Sequence, residues 1–352
     1  MNNKTRILVT KTLFYMTLGL ILMGCQNSGR APLAEGAQVK ETINSAEEMI
    51  NRGFDEIKAT RQWKIAYVVK SIQQERPYWM SVQQAAKQAG QDFEVEMIVV
   101  GPDAPPVPEF AELQIAIVVE LIEQGDIDGL IIGPMDSTRL VPVVEKAIAA
   151  GIPVIAQGTP INSDQLLTFV GLDNQAVGKR LGLWVAEKLN GQGNILILGG
   201  PAQQQNAIDR RNGFIEGLSQ SNVTVLDVDD TDWTPEAGQD VTAAWLEQYA
   251  EIDAIIGVVD QVAIGASQAV ALAEREGILI AGVGGYQPEA LELIRSGEIS
   301  VSIAQVPDLQ ARRAVQLMIR HLENGELFEP THFFTDVPMY TQESIEKIEN
   351  NP

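Results

Sequence analysis

From Trp63 onward, short runs of β-branched and aliphatic residues alternate with stretches of helical spacing, and this rhythm admits few folds. KIAYVV (64–69) leads to a helix predicted over Trp79–Gly90, and FEVEMIVV (93–100) to one over 108–125. GLIIGPM (129–135), a helix over Thr138–Ala150 and IPVIAQG (152–158) complete the unit. The rhythm then restarts. LTFVGLD (167–173), NILILGG (194–200), VTVLDVDD (223–230), DAIIGVV (253–259), ILIAGVGG (278–285) and ISVSIAQ (299–305) are each followed by a helix-length stretch. The last long helix is predicted over Leu309–Leu322, before an extended tail. Such alternation predicts parallel strands joined by crossover helices, an α/β fold of two doubly wound lobes. The absence of a short period excludes a solenoid.

A chain of 352 residues, 45% hydrophobic, is long enough for about two domains, each with its own core. The 47 Asp+Glu against 25 Lys+Arg give a net charge of −22, which argues against nucleic acid as a partner, because phosphate contacts need cations. Two histidines and one cysteine leave too little for a zinc site, a thiol pair or a Ser-His-Asp relay. His321 and His332 lack paired ligands, and the acidic run Asp227–Asp232 lacks the glycine and terminal glutamate of a calcium loop. No G-x-x-x-x-G-K, strand-following G-x-G-x-x-G or G-x-S-x-G occurs. No catalytic group, metal or cofactor is therefore expected. Trp184, Trp233 and Trp245 are expected to serve packing.

The first 25 residues read as a processing signal. Lys4, Arg6 and Lys11 form a positive region ahead of the apolar stretch Thr12–Met23, which is shorter than the roughly 20 residues a spanning helix needs. Leu22-Met23-Gly24-Cys25 resembles a bacterial lipobox, in which Cys25 becomes the lipidated N-terminus. Residues 26–45 read as a flexible tether and 46–62 as a short amphipathic helix. The expected location is extracytoplasmic, with the chain held to a bacterial membrane by its lipid.

Open parallel sheets bind ligands beyond the carboxyl ends of their strands, so the segments just after the strands are the pocket candidates. Several of them carry longer patterns. IIGPMDSTRLVPVVEKAIAAGIPVI, VGLDNQAVGKRLGLWVAEKL, DRRNGFIEGL (Arg210, Gly213, Phe214) and SIAQVPDLQARRAV follow one another in the order found in type I periplasmic solute-binding proteins. The chain resembles the ribose- and galactose-binding branch over about Trp63–Ile345. The resemblance implies two lobes joined by three crossovers, near Asp173, Gln305 and Phe334. It assigns 63–172 plus 306–333 to an N-terminal lobe and 173–305 plus 334–352 to a C-terminal lobe and tail. It further implies a binding protein rather than an enzyme, a monomer that closes on a small ligand and delivers it to an ABC permease.

On this resemblance the candidate ligand-binding residues are Arg76, Tyr78, Trp79, Asp136, Gln157, Asp173, Asp260, Tyr286 and Gln305. Asp136 and Asp173 could equally cap the helices that follow them. The sequence departs from the branch where sugars are usually gripped. Arg76 replaces the Asn before Pro-Phe-Phe, Gln157-Gly158 replaces Asp-Arg, and Ile208, Val259 and Gly284 stand where Arg, Asn and Asp are usual. The implied ligand is thus a sugar, a polyol or a small zwitterion. Tyr78-Trp79 with Tyr286 also resembles sensor partners that bind trimethylamine N-oxide and report to a membrane histidine kinase, so a kinase or chemoreceptor is the alternative partner.

Overall fold

The computed structural model describes residues 57–285 and 287–350. Its strands run β1 (Lys64–Val68), β2 (Glu96–Val100), β3 (Gly129–Ile132), β4 (Val154–Gln157), β5 (Thr168–Leu172), β6 (Gln192–Gly199), β7 (Asn222–Asp230), β8 (Ala254–Gly257), β9 (Leu279–Gly284), β10 (Val301–Ala304), β11 (Thr331–Phe334) and β12 (Met339–Tyr340). They form two six-stranded sheets, in the orders β11-β5-β4-β3-β1-β2 and β12-β10-β9-β8-β6-β7. Pairing is parallel throughout except for the short β10–β12 edge. The alternation of strand and helix predicted this arrangement of two doubly wound lobes.

The helices are α1 (Pro77–Phe93), α2 (Ala111–Gln124), α3 (Val141–Ala149), α4 (Asn174–Lys188), α5 (Gln205–Leu218), α6 (Pro235–Gln248), α7 (Asp260–Leu272), α8 (Pro288–Ser296), α9 (Pro307–Asn324) and α10 (Gln342–Asn350). Parallel strands covered on both faces must be apolar at every position, and β1 shows why. Ile65 and Tyr67 join a cluster with Trp79, Phe93 and Met318, whereas Ala66 and Val68 join a separate one with Val118 and Val144. In the second lobe α4 and α5 touch backbone to backbone through two G-x-x-x-G steps. A Cβ on Gly178 would lie 2.2 Å from the Arg210 carbonyl oxygen, and one on Gly213 would lie 2.3 Å from that of Gln175. This contact fixes α5, which carries Arg210.

Several boundaries differ from the sequence expectation. α1 does not stop at Gly90. It continues to Phe93 and ends at Glu94, whose φ of 62° turns the chain back, while Gly90 lies inside the helix beneath Met97. The extended tail contains β11, β12 and α10, one strand for each sheet. The predicted helix over 46–62 falls partly outside the described residues. Its described portion, 57–62, is not helical, and Thr60 there is bonded to Glu323 through both its amide and its hydroxyl. The signal segment, Cys25 and the tether lie outside the described residues.

The chain passes between the sheets three times, after β5, β10 and β11. Asp173 caps α4 at the first passage, its carboxylate accepting from Ala176 N at 2.9 Å. At the second, Val306 takes a left-handed φ of 45°, a strained conformation for a β-branched residue. Gln310 braces that turn by donating from Nε2 to the Gln305 carbonyl. At the third, Arg180 donates to the Val337 carbonyl at 2.6 Å.

Candidate ligand-binding cleft

Strand order reverses between β1 and β3 in one sheet and between β6 and β8 in the other. Connections leaving such a switch point diverge and open a crevice at the carboxyl ends. Here the crevices of the two lobes share one cavity of about 230 Å³. The first lobe supplies Lys70, Arg76, Tyr78 and Trp79 after β1, Thr159 after β4, and Gln310 from α9. The second supplies Asn174, Gln204, Asn206 and Arg210, with Trp233 after β7, Gln261 after β8, Gln287 after β9 and Gln305 after β10.

The lobes touch across the mouth. Ser137 N donates to the Gln203 carbonyl at 3.1 Å, and Gln205 N donates to Ser137 Oγ at 3.1 Å. Gln204 Nε2 donates to the Pro106 carbonyl at 2.9 Å, while its Oε1 accepts from the Lys70 ammonium. Gln204 is fully buried and Lys70 is 3% exposed, so this contact joins the lobes in a buried interface. The structure is the closed arrangement.

One side of the cavity is aromatic. Pro77 starts α1, and the next two residues are Tyr78 and Trp79, with ring centroids 4.9 Å apart at 73°. Gly158 makes room for this pair: it sits at φ 73°, and a Cβ there would come within 2.7 Å of the Tyr78 hydroxyl. That hydroxyl donates to Gln310 Oε1 at 3.2 Å and accepts from Gln157 Nε2 at 3.1 Å. Burial pushes its pKa up to about 12, against the lowering effects of the Gln157 bond and the Arg210 charge, so it stays a neutral donor. Trp233 also reaches the cavity, held at a left-handed φ of 72° beside Gly200.

The other side is polar and cationic. Arg210 is 2% exposed; its Nε and Nη2 donate to Asn174 Oδ1 at 3.1 and 2.6 Å, and its Nη1 to the Val258 carbonyl at 2.7 Å. With its amide flipped, Gln305 presents its oxygen to Nη1 and Nη2, each at 2.9 Å. Burial, with the Arg210 charge adding to it, holds the Lys70 pKa well below the usual lysine range.

Of the residues predicted from sequence, Arg76, Tyr78, Trp79 and Gln305 line the cavity. The other described ones stand behind or beside it. Gln157 is fully buried and orients Tyr78 and Gln310, to whose Oε1 it donates at 3.0 Å. Asp136 turns its carboxylate to the amides of Thr138 and Arg139, both at 2.8 Å, and Asp173 caps α4. Asp260 is fully buried at the start of α7, accepting from Gly285 N at 2.6 Å and from the Ser302 hydroxyl at 2.7 Å. Desolvation raises its pKa to about 6 despite those bonds and the Arg210 charge. Tyr286 lies outside the described residues. Sequence reading placed Gln204 in the pocket-candidate segment after β6 without singling it out, and passed over Lys70 and Trp233 as site residues. The position of Lys70 just after β1 and of Trp233 just after β7 was the available signal; Trp233 packs against the core as expected and lines the cavity as well. Among the described residues no cluster of His, Cys, Asp and Glu could hold a metal ion.

The periplasmic binding protein domain model matches residues 65–327. The D-ribose/D-allose-binding protein of Pseudomonas aeruginosa is 30% identical over 216 residues, 59% of this chain and 67% of that protein. The ribose import binding protein of Escherichia coli (strain K12) is 25% identical over 252 residues, 72% of this chain and 82% of that protein. An ABC transporter periplasmic solute-binding protein from Actinobacillus succinogenes, solved with bound D-allose, superposes with a TM-score of 0.74 at 25% identity, covering 81% of this chain and all of that one. With two wound lobes, a shared cleft and a family match over most of its length, the chain belongs to the periplasmic binding protein domain family.

Proposed function

We propose that the protein captures one sugar- or polyol-sized molecule between its lobes and presents the closed form to an ABC permease. The observation that carries this reading is a cavity built from both lobes and bridged by the Lys70–Gln204 and Ser137–Gln205 contacts. A ligand that touches both walls favours closure by its differential affinity for the closed state. Trp79 and Trp233 offer ring faces for the apolar side of a sugar, while Asn206, Gln261, Gln287 and Gln305 offer amides for its hydroxyls. The relatives named for ribose and allose, and the neighbour solved with D-allose, point to the same ligand class. A methylated ammonium fits less well, because Lys70 and Arg210 would set two buried cations against it.

In this reading residues 63–172 plus 306–333 form one moving body and 173–305 plus 334–352 the other. The protein acts as a monomer in the periplasm, tethered to the membrane through a lipid on Cys25.

Thermal unfolding of the full chain against a panel of pentoses, hexoses, polyols and methylated amines tests the ligand class. A ligand at 100 times its dissociation constant adds about 2.7 kcal/mol, which raises Tm by several degrees. Trp79→Ala and Trp233→Ala should each weaken the best ligand by about 1–3 kcal/mol while the variants stay folded. A panel in which only methylated amines shift Tm would overturn the sugar reading. Cys25→Ser should move the protein from the membrane to the soluble fraction on cell fractionation, and its retention in membranes would defeat the lipid tether.

A further inference from the structure

Many of the polar side chains on the cavity wall are already engaged by the protein itself. An arginine carries five N–H donors. Arg210 uses them on Asn174 Oδ1 through Nε and Nη2, on the Val258 carbonyl through Nη1, and on the turned amide oxygen of Gln305 through Nη1 and Nη2. Asn174 in turn donates from Nδ2 to the Leu172 carbonyl at 3.2 Å. Gln204 Oε1 accepts from Lys70, and its Nε2 donates to the Pro106 carbonyl. Gln310 Oε1 accepts from both Tyr78 and Gln157, and its Nε2 donates to the Gln305 carbonyl. Among the described residues this leaves few buried or half-buried side chains to bond a ligand, foremost Arg76, Thr159, Asn206 and Gln261. Asn206 Oδ1 is buried without a partner.

Beside these groups the cavity has an apolar wall. Leu172 ends β5, Val259 follows β8 and Ile264 lies early in α7; all three line the cavity and are 3%, 7% and 2% exposed. With Trp79 and Trp233 they belong to one apolar cluster that runs through both lobes, so the core itself reaches the cavity from either side. Leu172, Val259 and Ile264 can neither donate nor accept. A hydroxyl moved from water onto such side chains gives up its hydrogen bonds and gains none, whereas a methyl or methylene in the same place gains from leaving water. A fully hydroxylated sugar carries oxygen on nearly every carbon, so it must turn at least one hydroxyl to that wall. We propose that the ligand is a deoxy or methyl-bearing sugar or polyol, whose carbon without a hydroxyl lies against Leu172, Val259 and Ile264 while its remaining hydroxyls meet Arg76, Thr159, Asn206 and Gln261. This rests on the sugar-binding reading and names the ligand class within it.

Calorimetric titration of the full chain with pairs of sugars that differ by one oxygen tests this: D-galactose and 6-deoxy-D-galactose, D-allose and 6-deoxy-D-allose, L-mannose and L-rhamnose, D-ribose and 2-deoxy-D-ribose. The expected result is that in at least one pair the deoxy member binds about 10- to 100-fold more tightly than its parent, the span set by burying one hydroxyl without a partner. Val259→Thr, which nearly keeps the side chain's shape and adds a hydroxyl, should cut that ratio about tenfold by giving the parent a partner; Ile264→Thr should do the same should Val259→Thr fail to fold. Parents that bind as tightly as their deoxy counterparts in every pair, or a ratio unchanged in the folded variants, overturn the inference and leave the sugar reading standing. Binding by no member of any pair overturns both.

Discussion

A parallel strand ends with unpaired carbonyls, and the helix after it begins with unpaired amides, so the carboxyl edge of a wound sheet is polar wherever the strands stop. Here two such edges are turned toward each other, and everything that distinguishes the cleft follows from how their groups are satisfied. Some are answered locally. Asp136 takes up the turn amides of Thr138 and Arg139 ahead of α3, Asp173 takes up an amide of α4, and Asp260 holds Gly285 and Ser302 together. Others are answered only across the gap, by Ser137 with Gln203 and Gln205, and by Lys70 with Gln204.

The cross-cleft bonds are few, and three chain passages separate the bodies that make them. Closure is therefore a balance between a handful of hydrogen bonds and the conformations of the passages. Val306, left-handed and β-branched, sits at one passage, and Gln310 braces it while also receiving the Tyr78 hydroxyl. The aromatic side of the pocket is thus linked through one glutamine to the backbone of a passage between lobes. A ligand pressing on Tyr78 and Trp79 acts on the pocket and on that passage together.

The fold was legible because both faces of each central strand are buried, which forces apolar runs such as KIAYV and GLII that no loop would carry. The tail was not legible. THFF and MY are edge strands too short and too polar to stand out, and only sheet pairing identifies them. In the site, Arg76, Tyr78, Trp79 and Gln305 were readable from their places after strand ends. Asp136, Asp173 and Asp260 occupy equivalent places but spend their oxygens on nearby hydrogen-bond donors, a choice that depends on geometry and not on residue type. Lys70 escaped notice because a lysine after a strand ordinarily reaches solvent, and only the approach of Gln204 from the other lobe encloses it. Trp233 escaped because its direction depends on one left-handed residue in a loop.

In the proposed function a ligand draws these two lobes into the arrangement described. The most direct measurement is the distance distribution between spin labels at Asp103→Cys and Ala202→Cys, exposed positions just after β2 and β6, in a Cys25→Ser background. Saturating ligand should convert a broad, longer distribution into one short, narrow peak. The same distribution with and without a ligand that demonstrably binds would contradict the account.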